Sequence, residues 1–322
     1  MRLTQWLGAA LCCALVQGAS AQALETIETG FIGSPNSGAW PYYIGIDKGY
    51  FAAAGIALDI VYVPTAPGLV QELVAGSLDL VGTIGLVEPI HAAAKGAPVA
   101  ILRVTASVTP YEMVAQPGIK SVKELKGKTI CIGGLMDINR IYLERIMQAN
   151  GVKDGDYDII VIGNTAQRYA ALKAKTVAAT MLVPPASFLA EKEGFSNIGM
   201  LMDYAGDLPM GGADVTIAWA QKHADTAKRL VAVLDQSIAW FYDDKNREEA
   251  IDILAKVSKG SRDDVEQSYE LMRRIGGFER NNAVSRSSLQ HLIEAMRGIG
   301  DLQGSSITAD DLVVPGLTRV VD

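Results

Sequence analysis

Residues 56–82 read IALDIVYVPTAPGLVQELVAGSLDLVG, and this run decides the fold class. Positions 56–63 alternate and are rich in β-branched residues, the pattern of a strand. After Pro64-Thr65, residues 67–76 place Leu69, Val70, Leu73 and Val74 on one face of a short helix. Residues 78–82 are a short apolar strand. Two strands joined through a helical crossover run parallel, and a parallel sheet is covered on both faces. Upstream, 28–32 reads as a strand, 33–38 as a Gly/Ser/Pro/Asn-rich loop, and 40–51 as a helix closed by Gly55. Downstream, a helix over 87–95 and a strand over 99–105 continue the alternation, so the class is α/β.

After an apolar stretch at 113–115 the pattern restarts. Ser121-Val-Lys-Glu124 has capping-box spacing and opens a short helix that stops at Gly127. Strands follow at 129–133, 159–162 and 178–183, with helices at 139–149 and 166–173 between them, until Pro184-Pro185 breaks the run. One further strand at 215–218 leads into amphipathic helices at 224–242, 247–257, 262–273 and 287–297, which need a sheet to cover. The economical arrangement is two lobes joined by two crossings: lobe 1 from 22–115 and 215–322, lobe 2 from 116–214. A length of 322 residues agrees with about two domains.

The first 21 residues have the parts of a secretory signal: Arg2, an apolar run over 6–16, and Ala19-Ser20-Ala21 as the cleavage pattern. The run is too short to span a bilayer, which takes about 20 residues. The mature chain is therefore expected to begin at Gln22 and to be soluble, exported and periplasmic. Cys12 and Cys13 raise lipidation as an alternative, but Leu11 stands where a small residue is usual before Cys12, so both are expected to leave with the leader. Cys131 is then the sole thiol, which excludes an intrachain disulfide. A net charge of −7 argues against nucleic acid and anionic membranes as partners.

Catalytic patterns fail when tested. His91, His223 and His291 form no H-E-x-x-H, no G-x-S-x-G occurs, and the G-x-x-x-x-G of residues 33–38 is followed by Ala39-Trp40, not by Lys-Ser/Thr. Asp154, Asp156 and Asp158 begin like a calcium loop, yet Ile159 and Thr165 occupy its Gly and Glu positions. The expectation is a protein that is not an enzyme, with no cofactor and no metal.

Four segments carry a resemblance: Pro41-Tyr-Tyr-Ile-Gly-Ile-Asp-Lys-Gly-Tyr-Phe51 with Gly55-Ile56, Val74-Ala-Gly-Ser-Leu-Asp79, Gly96-Ala97-Pro98-Val99, and Ile119-Lys-Ser-Val-Lys-Glu-Leu-Lys-Gly-Lys-Thr-Ile130. In this order they resemble the periplasmic substrate-binding proteins of ABC importers, in the branch handling sulfonates, nitrate, taurine and thiamine-pyrimidine precursors. The resemblance runs from about residue 27 to the C-terminal helices. It implies a two-lobed periplasmic-binding-protein fold of type II, each lobe a sheet flanked by helices with the ligand cleft between. It also implies hinge strands near 113–116 and 212–216, closure on a small molecule, and docking of a monomer on a membrane permease. The alternatives are a sensory subunit presenting ligand to a membrane receptor, and a thiamine-pyrimidine-synthase-like enzyme. For the latter's Cys-rich motif and histidine this chain has no counterpart.

In open α/β sheets ligands sit beyond the carboxyl ends of the strands. The loops there offer Ser37, Thr83, Thr105 and Ser107 as hydroxyl donors or as plain turn and cap residues, and Trp40 and Tyr42 as stacking rings or as core. In the second lobe they offer Asp137, Asn139, Asn164 and Arg168. Arg168 would pair two-pronged with a carboxylate or sulfonate or form a structural ion pair, and Arg103, inside a strand, is either buried with a partner in an ion pair or near the cleft. Met136-Asp137 departs from the relatives' Gly-Ser. As a helix cap Asp137 neutralises the dipole, and as a site residue it favours an N–H donor or amine. Lys175-Thr-Val-Ala178 and Pro184 depart as well, so an organic ligand, aromatic, heterocyclic or acidic, fits better than a simple inorganic anion. Glu88 would lie on a solvated helix face or add an acceptor from the first lobe.

Overall fold

The computed structural model describes residues 23–322, so the leader, its cleavage site, Cys12 and Cys13 lie outside the described residues. Ten strands build the two lobes: β1 (Glu25–Ile32), β2 (Ile56–Val63), β3 (Leu80–Gly85), β4 (Val99–Ala106), β5 (Glu112–Ala115), β6 (Thr129–Ile132), β7 (Asp158–Val161), β8 (Ala179–Leu182), β9 (Ser196–Met200) and β10 (Gly211–Thr216). The first sheet has the order β2-β1-β3-β10-β4 and the second β7-β6-β8-β5-β9. β1 runs parallel to β2 and β3, and β6 parallel to β7 and β8. The fourth strand of each sheet, β10 or β5, is antiparallel to both neighbours. Each of these two strands is the one that the chain delivers from the other lobe.

The crossings therefore run through residues 107–111 and 201–210. Glu112–Ala115 pairs in the second sheet and Gly211–Thr216 in the first, so the exchange between lobes falls a few residues before the divisions read from sequence at 115 and 214. An apolar run marks a strand but not the sheet it bonds to. The start of β10 had no strand pattern because backbone packing dictates Gly-Gly there. A Cβ on Gly211 would lie 2.5 Å from Ile84 O, and one on Gly212 would lie 2.6 Å from Arg103 O. The half-buried edge strand β9 had no readable pattern either. Ser121 does not form the expected capping box. Its hydroxyl donates to Glu124 Oε1 at 2.8 Å without capping the backbone, and only a 3₁₀ turn, Val122–Leu125, follows.

The C-terminal helices Ala224–Phe241, Arg247–Ser258 and Arg262–Arg274 cover one face of the first sheet. Phe241 is fully buried there, with ring centroids 5.3 Å from Trp40, 4.9 Å from Tyr269 and 5.0 Å from Phe278. Burying each such side chain contributes roughly 1.5–3 kcal/mol. A second cluster passes from Leu86, Ile90 and Val104 of the first lobe into Met113, Ile138, Tyr142 and Met181 of the second. It also takes in Leu289 and Leu292 of helix Arg286–Gly298. The lobes thus share apolar packing beside their crossings. No helix among the described residues is long and apolar enough to cross a membrane.

Candidate functional site

The parallel strands end in loops that open helices, and two of these loops meet. β3 ends at Gly85, and Glu88 sits in the first turn of the following helix, Val87–Ala94. β6 ends at Ile132, and Asp137 caps the following helix, Ile138–Ala149, accepting from Asn139 N at 2.6 Å. A Cβ built on Gly85 would lie 3.8 Å from Ile138 Cγ2 of the second lobe and 3.9 Å from Glu88 Oε2 of the first. The start of the second-lobe helix and the first-lobe carboxyl therefore share one seam.

Electrostatics follow from that placement. Burial, then the charge of Asp137, pushes the Glu88 carboxyl up to about 8; its own backbone N–H opposes this, and Asp301 adds to it. Burial also raises Asp137, against the Asn139 backbone and side-chain donors, the charge of Arg168 and the Arg140 N–H. Asn139 is 4% exposed, and its Oδ1 has no partner. The same loop turns Leu135 and Met136 outward, 55% and 47% exposed.

The remaining residues marked in the sequence divide into core, caps and strand ends. Trp40 is fully buried and donates from Nε1 to Ala250 O at 2.7 Å. Tyr42 is fully buried with its ring centroid 5.0 Å from Phe31. Neither ring is open to a ligand, which corrects the stacking expectation: helix Trp40–Asp47 is buried on every side over its first six residues. Arg168 is 3% exposed and donates to Met181 O (3.2 Å), Gly163 O (2.5 Å) and Thr165 Oγ1 (3.2 Å). Its prongs tie together the ends of β7 and β8, which corrects both its two-pronged pairing with a ligand and the structural ion-pair reading. Arg103 is likewise internal, bound to Asp235, Val104 O and Glu279 O.

Asn164 and Gln167 form a reciprocal capping box, each side chain serving the other's backbone N–H. Ser37 is buried in a 3₁₀ turn, and Ser107 Oγ donates to Gly276 O at 3.3 Å. Thr83 and Thr105 each hold a buried hydroxyl without a partner near the carboxyl end of the first sheet.

The structure thus brings Asp137, Asn139 and Arg168 together and adds Glu88, whose position one residue into the helix after β3 was the signal for it. Sequence reading missed Asp214, fully buried in β10 with both carboxyl oxygens unpartnered. A separate groove of about 520 Å³, lined by Ile238, Tyr242, Arg280 and neighbours, takes no residue from the second lobe.

Residues 36–248 match the family model described as NMT1/THI5 like. No curated protein matches the sequence. Among solved structures, the ligand-binding component of an ABC-type import system from Staphylococcus aureus superposes with a TM-score of 0.76 at 18% identity, covering 91% of this chain and 98% of that one. The periplasmic aliphatic sulphonate binding protein SsuA from Escherichia coli gives 0.71 at 19% identity over 91% and 99%. The periplasmic nitrate-binding protein NrtA from Synechocystis PCC 6803 gives 0.66 at 18% over 76% and 70%. At these identities the likeness establishes the fold.

Proposed function

The chain belongs to the NMT1/THI5-like family, and from that premise we propose that it is a periplasmic solute-binding protein that captures a small organic molecule by closing its lobes and hands it to the membrane permease of an ABC importer. One observation carries this reading. Two sheets of the same strand pattern, joined by two crossings, bring the helix starts after β3 and β6 against each other at Gly85 and Ile138. A seam between two bodies on a double crossing is built to open and shut around a ligand. Binding of aliphatic sulphonate by one structural neighbour and of nitrate by another supports the same reading.

Binding fits the residues better than catalysis. His91, His223 and His291 each lie against a carboxylate, Asp301, Glu25 and Asp207 respectively. The Cys131 thiol is buried, which pushes its pKa up and away from the reactive thiolate. An organic ligand suits the seam better than a bare inorganic anion, since an ionised Asp137 at the helix start offsets the dipole that would hold one. We read the exported protein as a monomer that works without a cofactor, its lobes pivoting about 107–111 and 201–210.

The experiment is thermal melting against a panel of sulfonates, nitrate, carboxylates, amines and heterocycles, followed by small-angle scattering with any hit. A ligand at about 100 times its Kd stabilises by about 2.7 kcal/mol, which moves the midpoint by a degree or more. A compound that raises the midpoint and contracts the particle is the expected result. Cooperative melting that no compound moves would sink the solute-binding reading.

A further inference from the structure

The seam between the lobes is made of acceptors. Glu88 Oε2 of the first lobe and Ile138 of the second both lie within 4 Å of where a Gly85 side chain would begin, and Asp137 immediately precedes Ile138. Asn139, buried close to Asp137 in the chain, donates its backbone N–H to the Asp137 carboxyl and leaves its side-chain Oδ1 without a partner. A buried carbonyl oxygen such as Asn139 Oδ1 costs free energy until a donor reaches it.

The charged donors close by are committed elsewhere, while the Thr83 and Tyr142 hydroxyls are neutral and unpartnered. Arg168 serves Met181 O, Gly163 O and Thr165. Arg140 serves Glu144 and Asp154, and the Asn139 N–H serves Asp137. On the solute-binding reading, on which this inference rests, we propose that the cleft takes a cationic nitrogen — a protonated amine, amidine or guanidine on an organic body — held between Glu88 and Asp137 with Asn139 Oδ1 as a third acceptor.

The charges around the seam agree. Glu88 faces Asp137 from the second lobe and Asp301 from beyond helix Arg286–Gly298. On its own helix His91 is engaged by Asp301, with Nδ1 3.0 Å from Oδ2. Arg168 lies behind Asp137 and lowers it without removing the burial that raises it. With no cation bound, burial and mutual repulsion hold a proton on Glu88 near neutrality; a cation replaces that proton. An anion meets two carboxyl groups and no uncommitted guanidinium. A metal ion is a poorer fit than an organic cation, since no group of three or more His, Cys, Asp or Glu among the described residues is placed to hold one. Leu135 and Met136, outward on the loop that leads to Asp137, offer apolar contact to the body that carries the nitrogen.

The test compares benzylamine, benzamidine and methylguanidine with benzyl alcohol and benzoate, first by melting and then by calorimetric titration at about pH 7 in two buffers of different ionisation enthalpy. The cations are expected to raise the midpoint while benzyl alcohol and benzoate leave it unmoved. Glu88→Gln is expected to weaken the best cation about tenfold or more and to abolish the proton release that accompanies binding to the unaltered protein. Asp137→Asn should weaken it similarly. If that change harms folding by disturbing the helix cap, Glu88→Gln, which removes no cap, carries the comparison. The proposal is overturned if benzoate binds as well as benzylamine, if Glu88→Gln retains affinity and proton release, or if no cation binds. A sulfonate or neutral heterocycle that binds while every cation fails would leave the solute-binding reading standing and remove only this one. Failure of the whole panel would remove both.

Discussion

Lys192 Nζ lies 2.5 Å from Asp264 Oδ1, joining helix Ala186–Lys192 of the second lobe to helix Arg262–Arg274 of the first. Asp264 is nearly buried at the start of its helix and also accepts from Ser261 Oγ at 2.6 Å. Burial pushes its carboxyl up, but the donors from Lys192 and Ser261 outweigh that and hold it below the usual carboxylate range. The pair ties the two lobes together through residues other than Glu88 and Asp137, so on the solute-binding reading it would bias closure.

Lys192→Ala is therefore expected to leave each lobe folded and to favour the open form. Lys192 is half exposed, so the loss is on the order of 1 kcal/mol, a several-fold weakening of any ligand. The weakening should fall on the dissociation rate, with a larger radius of gyration before ligand is added. Because the carboxyl is depressed, the latch is fully present at neutral pH and fails only as acid takes the solution below the ordinary carboxylate range. An unchanged dissociation rate would show that the pair does not hold the lobes.

Glu88 acts on stability with the opposite sign. Its carboxyl is raised from 4.5 to about 8, so the folded ligand-free protein binds more protons than the unfolded chain between those values. Stability is then greatest below 4.5 and is lost as pH rises through about 8. Glu88→Gln removes this dependence. The melting midpoint of the unaltered protein should fall relative to the variant between acidic and mildly alkaline buffers, and parallel curves would show that Glu88 is ionised in the fold at no cost.

Much of the fold was legible because its signals are local. The strand–helix–strand run at 56–82 needed only periodicity, and so did the helices that cover the first sheet. Which sheet Glu112–Ala115 and Gly211–Thr216 would join was not local, since their partners β8 and β4 lie far away in sequence. The candidate site was legible only as a set of strand-end loops. Within it, the cap at Asp137 was readable from its place before the helix, whereas Asn164, offered as a ligand-loop residue, also caps its helix. The burial of Trp40 under helices some 200 residues later, and the meeting of Glu88 with the Ile138 helix, depend on packing that no window contains.

Trp40→Phe separates core from site. The change keeps most of the ring but removes the Nε1–H that serves Ala250 O and leaves space beside Phe241 and Tyr269. Loss of about 1–3 kcal/mol is expected, read as a lower denaturant midpoint, with ligand affinity unchanged. A large loss of affinity with stability intact would return Trp40 to the binding surface.

Arg168→Ala would leave Met181 O, Gly163 O and Thr165 without their buried donor at the ends of β7 and β8. A loss of several kcal/mol is expected, and Arg168→Lys should not restore it, because an ammonium cannot serve three separated oxygens in one plane. The check is chemical denaturation of both variants. A lysine variant as stable as the unaltered protein would mean that charge, not the fork of donors, holds these loops.

Asp214 is the sharpest case of a polar group placed by topology. It sits on an interior strand of the first sheet, in register with Val81 of β3 and Ile101 of β4, fully buried with neither carboxyl oxygen partnered. Burial raises its pKa well above the usual carboxylate value, which favours the neutral acid. A raised carboxyl favours the folded state below its unfolded pKa, and that advantage is lost as pH rises toward the folded value. Asp214→Asn keeps the shape and removes the titration. Near neutral pH it should match or exceed the unaltered protein in melting midpoint, and its advantage should grow toward alkaline pH. A markedly less stable asparagine variant would mean that the carboxyl is ionised in place and met by a charge, so that β10 carries a buried ion pair and not a neutral acid.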